Sequence, residues 1–166
     1  MGYLLFLPFL IHACGGSSAT VGIALALLFA GGALGKATCG WLVDHFGIVR
    51  SVIATEMTTS FLIIATLITP LSGTLILLPL LGIVLNGTSS ALYGTVPELA
   101  PGGDTGRAFA VFYTGVIGTG GLAPIVYGAI ADHLSRTTGQ LATAATALLI
   151  VPMVLRLGSF MKPVSS

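Results

Sequence analysis

The sequence predicts an all-α transmembrane bundle, and its composition, its hydropathy and the length of its apolar runs all favour this class. Of the 166 residues, 55% are hydrophobic and only 7% are charged, whereas a soluble domain carries about 25% charged residues. The mean hydropathy of +1.05 leaves too few polar side chains to cover a surface in water. We therefore expect lipid to be the main solvent of this chain.

Helices rather than strands are expected to cross the membrane. In lipid, every backbone amide needs a partner inside the protein, so only helices or closed barrels can span it. Barrel strands alternate in polarity over about 10 residues, but residues 60–69 read Ser-Phe-Leu-Ile-Ile-Ala-Thr-Leu-Ile-Thr. Because the apolar runs are continuous in this way, the sequence indicates helices.

Turn-forming residues divide the chain into five full spans and one partial helix. The partial helix, residues 1–13, contains an apolar run that covers only about half of a core of about 30 Å at 1.5 Å per residue. Each full span is close to the length of about 20 residues that a crossing helix needs. The predicted full spans are residues 19–43, 51–69, 74–95, 107–131 and 140–157.

The basic residues are divided unevenly between the two sides of this predicted bundle. When the loops are assigned alternately, one side receives only Arg136. The other side receives the remaining basic residues, which are Lys36, Arg50, Arg107, Arg156 and Lys162. Because Lys and Arg accumulate in cytoplasmic loops, we expect a multi-pass protein of the cell membrane with a cytoplasmic C-terminus.

The sequence contains no motif that indicates an enzyme. It has no Gly-x-Ser-x-Gly elbow and no phosphate-binding glycine loop with Lys. Cys14 and Cys39 match no metal-ligand spacing and are expected near opposite membrane faces. The net charge of +1, without a basic cluster, gives no reason to expect a nucleic-acid partner. We predict a non-enzyme that has no cofactor and no metal.

A short motif joins the first two full spans. Gly40 continues a glycine-rich helix face on which a neighbouring backbone can approach closely. Asp44 follows at the helix end, where its carboxylate is expected to cap the start of another helix and to interact with the positive end of that helix's dipole, and Gly47 permits a tight reversal. Together with Arg50, these residues resemble the signature loop of the major facilitator superfamily in its second copy. His45 stands where that loop usually has Arg or Lys.

Two further segments extend the resemblance over nearly the whole chain. Residues 93–99 and 107–113 are similar to the link between the tenth and eleventh helices of the superfamily. Residues 40–45 recur as 128–133, and the two copies end on opposite faces, as inverted three-helix repeats do. The resemblance implies that residues 1–166 are a C-terminal six-helix half. Its full spans would be helices eight through twelve, and residues 1–13 would be the end of helix seven.

The resemblance also implies a function. It predicts secondary transport of a small solute or drug by alternating access, as in bacterial efflux carriers of the inner membrane, with proton coupling. The expected partners are the lipid bilayer, a small-molecule substrate, a coupling ion and a missing N-terminal half. Two alternatives remain at this point. The chain could be a truncated or non-transporting membrane module that needs a partner half, and residues 4–14 loosely resemble a lipoprotein signal, although no basic residue precedes them.

Glu56 is the only acidic residue within a predicted span. Ionisable groups in lipid are costly and usually functional, so Glu56 is the candidate for proton coupling. The alternative is that its side chain reaches the membrane surface or pairs with a basic loop residue.

Two further sets of residues are predicted to line and open the transport path. Asn86, Ser89, Ser90 and Tyr93 share helical spacing in the third full span, and Tyr113 and Thr114 lie in the fourth; these six are the candidate substrate cavity. Interhelical hydrogen bonding is the alternative for the polar ones. Gly118, Gly120, Gly121 and Pro124 loosen the fourth span and make it the candidate gate helix. Close helix packing would also explain these glycines.

Overall fold

Six α-helices make up the computed structural model of the chain, which describes residues 2–97 and 100–158, without the side chains of 90, 91, 101, 157 and 158. The helices are α1 (Gly2–Ala13), α2 (Ser18–Phe46), α3 (Ile48–Ile68), α4 (Leu71–Thr95), α5 (Thr105–His133) and α6 (Arg136–Gly158). A 3₁₀ turn at Pro101–Gly103 precedes α5. No strand occurs in the described ranges, so the predicted all-α class is confirmed.

Five of these helices, α2 to α6, are long and apolar enough to cross a membrane. They coincide with the five predicted spans, but most extend a few residues further at one or both ends. For example, α2 runs to Phe46 instead of residue 43, and α6 begins at Arg136 instead of residue 140. Hydropathy detects only the segment inside the hydrocarbon, whereas a helix also continues through the polar interface.

Local sequence signals fix where several helices begin and end. Ser17 and Thr20 form a reciprocal capping box at the start of α2, so backbone donors that the helix leaves free are satisfied. Asp104 caps α5 by accepting a hydrogen bond of 3.0 Å from the amide of Arg107. Between α2 and α3, Gly47 has a φ of +78°, which a residue with a side chain adopts only with strain.

The tightest packing in the bundle joins α2 to α4 through glycines. A Cβ added to Gly31 or Gly35 would overlap the backbone of Pro79 or Ile83 on α4. A Cβ on Gly82 would in turn overlap the Leu28 carbonyl on α2. The bare face that the sequence predicted for α2 is therefore covered by α4 at Gly31 and Gly35, where the two backbones lie as close as glycine allows. Gly40, further along the same helix, is exposed, and a Cβ there would meet nothing within 4 Å.

The remaining core surrounds α3, which packs against both α4 and α6. Leu62 and Ile63 belong to an apolar cluster that also includes Leu28, Leu78 and Leu81. Polar groups supplement it, because the Ser60 hydroxyl donates to the Ala144 carbonyl on α6. The short helix α1 covers the cluster, and its Tyr3 hydroxyl lies 3.2 Å from the Thr66 hydroxyl.

The helix α5 lies at the edge of the bundle. All of its residues are described, and none of them is buried. It packs against α6 and α1, and Tyr127 on α5 donates to Thr146 on α6 at 2.7 Å. Most of the α5 surface is thus left without a neighbouring helix in this chain.

Candidate functional site

The turn between α2 and α3 contains the four residues of the predicted signature loop. Gly40 and Asp44 are both exposed, and Gly47 makes the reversal as expected. Asp44 does not cap α3, because Gly47 is the N-cap residue and no side chain accepts a hydrogen bond there. Capping of another helix by Asp44 remains a prediction. Gly47 separates the two helices by a single residue, so α2 continues two residues beyond Asp44 and keeps its carboxylate on the preceding helix.

Arg50, the last residue of the signature loop, lies in the first turn of α3 and is exposed. Arg107 occupies the first turn of α5 and Arg156 the last turn of α6, so these three cations mark one end of the bundle. We call it the basic end. Lys162, which the sequence also assigned to this side, lies outside the described residues.

Glu56 points into the bundle and not to its surface. It is 8% exposed, and the Thr88 side chain on α4 interacts with its carboxyl group. No basic residue pairs with Glu56 among the described residues, so neither surface exposure nor an ion pair accounts for its position there. At about 1.5 Å per residue, Glu56 lies about 12 Å from the start of α3 and near its midpoint.

Threonine hydroxyls of α3 and α4 lie near this carboxyl group. Thr88 donates to Thr55 across the α3–α4 contact at 2.8 Å. Thr59, one turn further along α3, is buried and its hydroxyl lacks a partner among the described residues. Buried polar groups usually have hydrogen-bond partners, so the Thr59 hydroxyl is available to bond a further polar group about one turn from Glu56.

The hydrogen bond between the Thr88 and Thr55 hydroxyls is expected to stabilise the contact between α3 and α4. We predict that Thr55→Val and Thr88→Val each destabilise the bundle and share an interaction of about 0.6 kcal/mol, the average for such bonds in membranes. A double-mutant cycle on unfolding in a denaturing detergent measures this value. The matched control is Thr58→Val, because the Thr58 hydroxyl is exposed and donates to Ala54 of its own helix. A zero interaction energy in the cycle would contradict the prediction.

The six candidate cavity residues do not all lie together. Asn86 faces α2, since a Cβ on Gly32 would overlap its amide, and its Nδ2 atom donates to the Gly82 carbonyl at 3.2 Å. Ser89 is exposed and donates to the Asn86 carbonyl. The side chain of Ser90 is not among those described. The cavity role of these residues remains a prediction.

Aromatic rings connect α4 to α5 towards the basic end. The centroid of the Tyr93 ring lies 5.1 Å from that of Phe112 and 5.3 Å from that of Tyr113. Phe109 extends the group, with its ring 6.3 Å from that of Tyr113. Thr114 is exposed next to Tyr113 and donates to the Ala110 carbonyl. Two candidate cavity residues, Tyr93 and Tyr113, are thus in direct contact.

The candidate gate residues lie in the middle and later part of α5, which is continuous through Pro124. A Cβ added to Gly118 or Gly121 would meet nothing within 4 Å. Gly120 is half-buried. Close packing inside this chain therefore does not explain Gly118 or Gly121, and their part in a gating motion remains a prediction.

Lys36 falls inside the predicted first span, although the assignment of basic residues to the two membrane sides counts it with the loops. The structure places it within α2, ten residues before Phe46, and leaves its side chain exposed. At this depth it is a second ionisable residue within a membrane helix, a feature that usually has a function. The signal was available, because residues 19–43 include it.

Among residues 2–97 and 100–158, no three His, Cys, Asp or Glu side chains lie close enough together to hold a metal ion. The chemistry that this arrangement offers is instead hydrogen bonding, aromatic contact and one buried carboxyl group.

The chain matches the family model of the Major Facilitator Superfamily over residues 1–164. Searches of characterised proteins and of solved structures give no match at the stringency applied. The family match spans nearly the whole chain and agrees with the five membrane helices and the turn between α2 and α3. The chain therefore belongs to the major facilitator superfamily and is a multi-pass membrane protein of a transporter family.

Proposed function

We propose that this chain acts as the C-terminal half of a secondary transporter that moves a small solute or drug by alternating access. In this assignment α2 to α6 are helices eight through twelve, and α1 is the end of helix seven. The basic end would face the cytoplasm of a bacterial cell, because basic residues accumulate on that side. Proton coupling by Glu56 and an outward, efflux direction belong to the same proposal.

The observation that carries the proposal is the exposed surface shared by α4 and α5. Ser89 lies one turn before Tyr93 on α4, Thr114 follows Tyr113 on α5, and both side chains are exposed. The ring contact between Tyr93 and Tyr113 joins the two helices at this end. Exposed hydroxyl groups gain little from lipid, but they bind water and polar solutes. We propose that this surface, which we call the α4–α5 surface, lines the transport path.

The position of Glu56 supports a coupling role. Its carboxyl group is near mid-depth, buried and without a cationic partner among the described residues. A buried carboxyl group of this kind exchanges a proton at a cost that depends on the packing of α3 against α4. Substrate movement along α4 would change that packing, and so substrate movement and proton exchange at Glu56 would be linked.

Cysteine accessibility tests whether the α4–α5 surface faces water. In a background of Cys14→Ser and Cys39→Ala, we expect Ser89→Cys and Thr114→Cys to react with a membrane-impermeant maleimide in vesicles. Leu80→Cys is the matched control: it lies nine positions from Ser89, on the opposite face of α4, and its side chain is 50% exposed. In lipid, Leu80→Cys is expected to stay unlabelled. Equal labelling of all three positions, or of none, would contradict a water-lined path.

A second candidate function has one observation in its favour. Because α5 buries none of its residues, the chain offers a large surface that another set of helices would cover. A non-transporting membrane module that acts only with a partner half fits this surface as well. Monodisperse behaviour in detergent with cooperative thermal unfolding of the 166-residue chain would count against a need for the partner.

A further inference from the structure

A groove of about 280 Å³ lies between the last turns of α2 and the first two turns of α3. Leu42 and Phe46 form its α2 wall, and Arg50 and Ala54 form its α3 wall, each pair being one helical turn apart. The remaining lining residue, Ser51, is buried, and its hydroxyl lies 2.8 Å from the Gly47 carbonyl and 3.0 Å from the Leu42 carbonyl. These contacts hold the two helix ends together, so the groove is part of the folded turn.

The groove has apolar walls and a single charge. The Arg50 guanidinium is exposed, and in the part of the chain that the structure describes it has no acidic partner. Asp44, the acidic residue of the same turn, is exposed and does not line the groove. Glu56 is buried against Thr88 and does not line it either. A guanidinium forms paired hydrogen bonds with phosphate and so suits an anionic group of that kind.

The aromatic residues beside the groove indicate its depth. Trp41 and Phe46 are 55% and 54% exposed, and the His45 ring lies 4.3 Å from the Trp41 ring. Exposed tryptophans of membrane proteins concentrate at the headgroup level. Arg50 begins α3 at this level, and Ala54 lies one turn deeper. The cation is therefore placed among headgroups, and the apolar walls continue towards the hydrocarbon.

We propose that this groove is a binding site for an anionic phospholipid, whose phosphate pairs with Arg50 and one of whose acyl chains lies against Leu42, Phe46 and Ala54. The volume holds part of one acyl chain and not a whole lipid. One Arg near a membrane surface favours anionic over zwitterionic lipid by about fivefold. The proposal is independent of transport, because it concerns only the α2–α3 turn and the surrounding bilayer.

The single tryptophan of the chain reports on the groove directly. Trp41 precedes Leu42, and the centroid of its ring lies 6.3 Å from that of Phe46. Bromine atoms on an acyl chain in the groove would quench its fluorescence. We expect titration of the reconstituted 166-residue chain to give an association constant for brominated phosphatidylglycerol that is about fivefold higher than that for brominated phosphatidylcholine.

Variants separate the groove from general charge attraction. Arg50→Gln is expected to reduce the ratio of the two constants to about one, whereas Arg50→Lys should retain most of it. Arg107→Gln removes a cation at the same end but outside the groove, and should keep the wild-type ratio. Ala54→Leu narrows the groove and should weaken the binding of both lipids. Equal constants in the wild type, or equal losses in Arg107→Gln and Arg50→Gln, would overturn the proposal.

Discussion

Replacement of Glu56 by Gln is expected to lower proton-driven accumulation of substrate by about 5- to 150-fold, the range of a coupling free energy of about 1 to 3 kcal/mol. Glutamine has a similar size and keeps hydrogen-bonding capacity beside Thr88, but it cannot bind and release a proton. The measurement is accumulation in energised inverted vesicles, together with substrate exchange in vesicles without a proton gradient. Exchange should persist, because Gln leaves the solute path intact.

Two comparisons show whether the loss is specific to the buried carboxyl group. Glu56→Asp retains a carboxyl group and should keep part of the coupling. Asp132→Asn removes an exposed carboxylate in the last turn of α5 and should have no effect. If Glu56→Gln accumulates substrate as well as the wild type does, Glu56 is not the coupling residue and its burial serves packing alone.

The second large effect concerns the glycine contact between α2 and α4. We expect Gly82→Ala to destabilise the bundle by about 2 kcal/mol, because overpacking costs about 1 to 3 kcal/mol and the new Cβ would overlap the Leu28 carbonyl. The overlapping atom belongs to the backbone, so no side-chain rotation relieves it. Unfolding in a denaturing detergent, followed by helical circular dichroism, measures the free energy.

Gly94→Ala is the matched control for this substitution. Gly94 belongs to the same helix, and a Cβ there would meet nothing within 4 Å. Alanine favours a helix over glycine by up to about 1 kcal/mol, so Gly94→Ala should be neutral or stabilising. An equally mild effect of Gly82→Ala would show that α2 and α4 are not in close backbone contact.

The sequence was sufficient to predict the helices but not their arrangement. Because exposing backbone amides to lipid is costly, an apolar run of about 20 residues can cross the membrane in few conformations, and the helix is the one that fits its length. Helix partners depend on shape, which hydropathy does not record. The glycines of α2 predicted a close neighbour, but they gave no reason to choose α4, whose Pro79, Gly82 and Ile83 complete the contact.

The residue types of the candidate site were predictable from the sequence, but the directions in which their side chains point were predictable only in part. Glu56 was identifiable because a carboxyl group within a span is unusual, yet only the structure shows that it faces Thr88 and not the membrane surface. Asp44 was expected to cap another helix, and the structure shows that this helix is not α3, because α2 continues past Asp44 to Phe46 and Gly47 is the N-cap of α3. Tyr93 and Tyr113 are 20 positions apart in the sequence, and their ring contact depends on how α5 sits beside α4.

The most direct test of the transport assignment is solute movement itself. Inverted vesicles would contain either this chain alone or this chain with any six-helix half encoded upstream, and a panel of dyes and drugs would be tested under a proton gradient. We predict gradient-driven transport of at least one compound, and this transport should require the present chain and be lost in Glu56→Gln. If both halves are inserted in the membrane and no compound of the panel moves, that result would contradict the assignment and favour the non-transporting module.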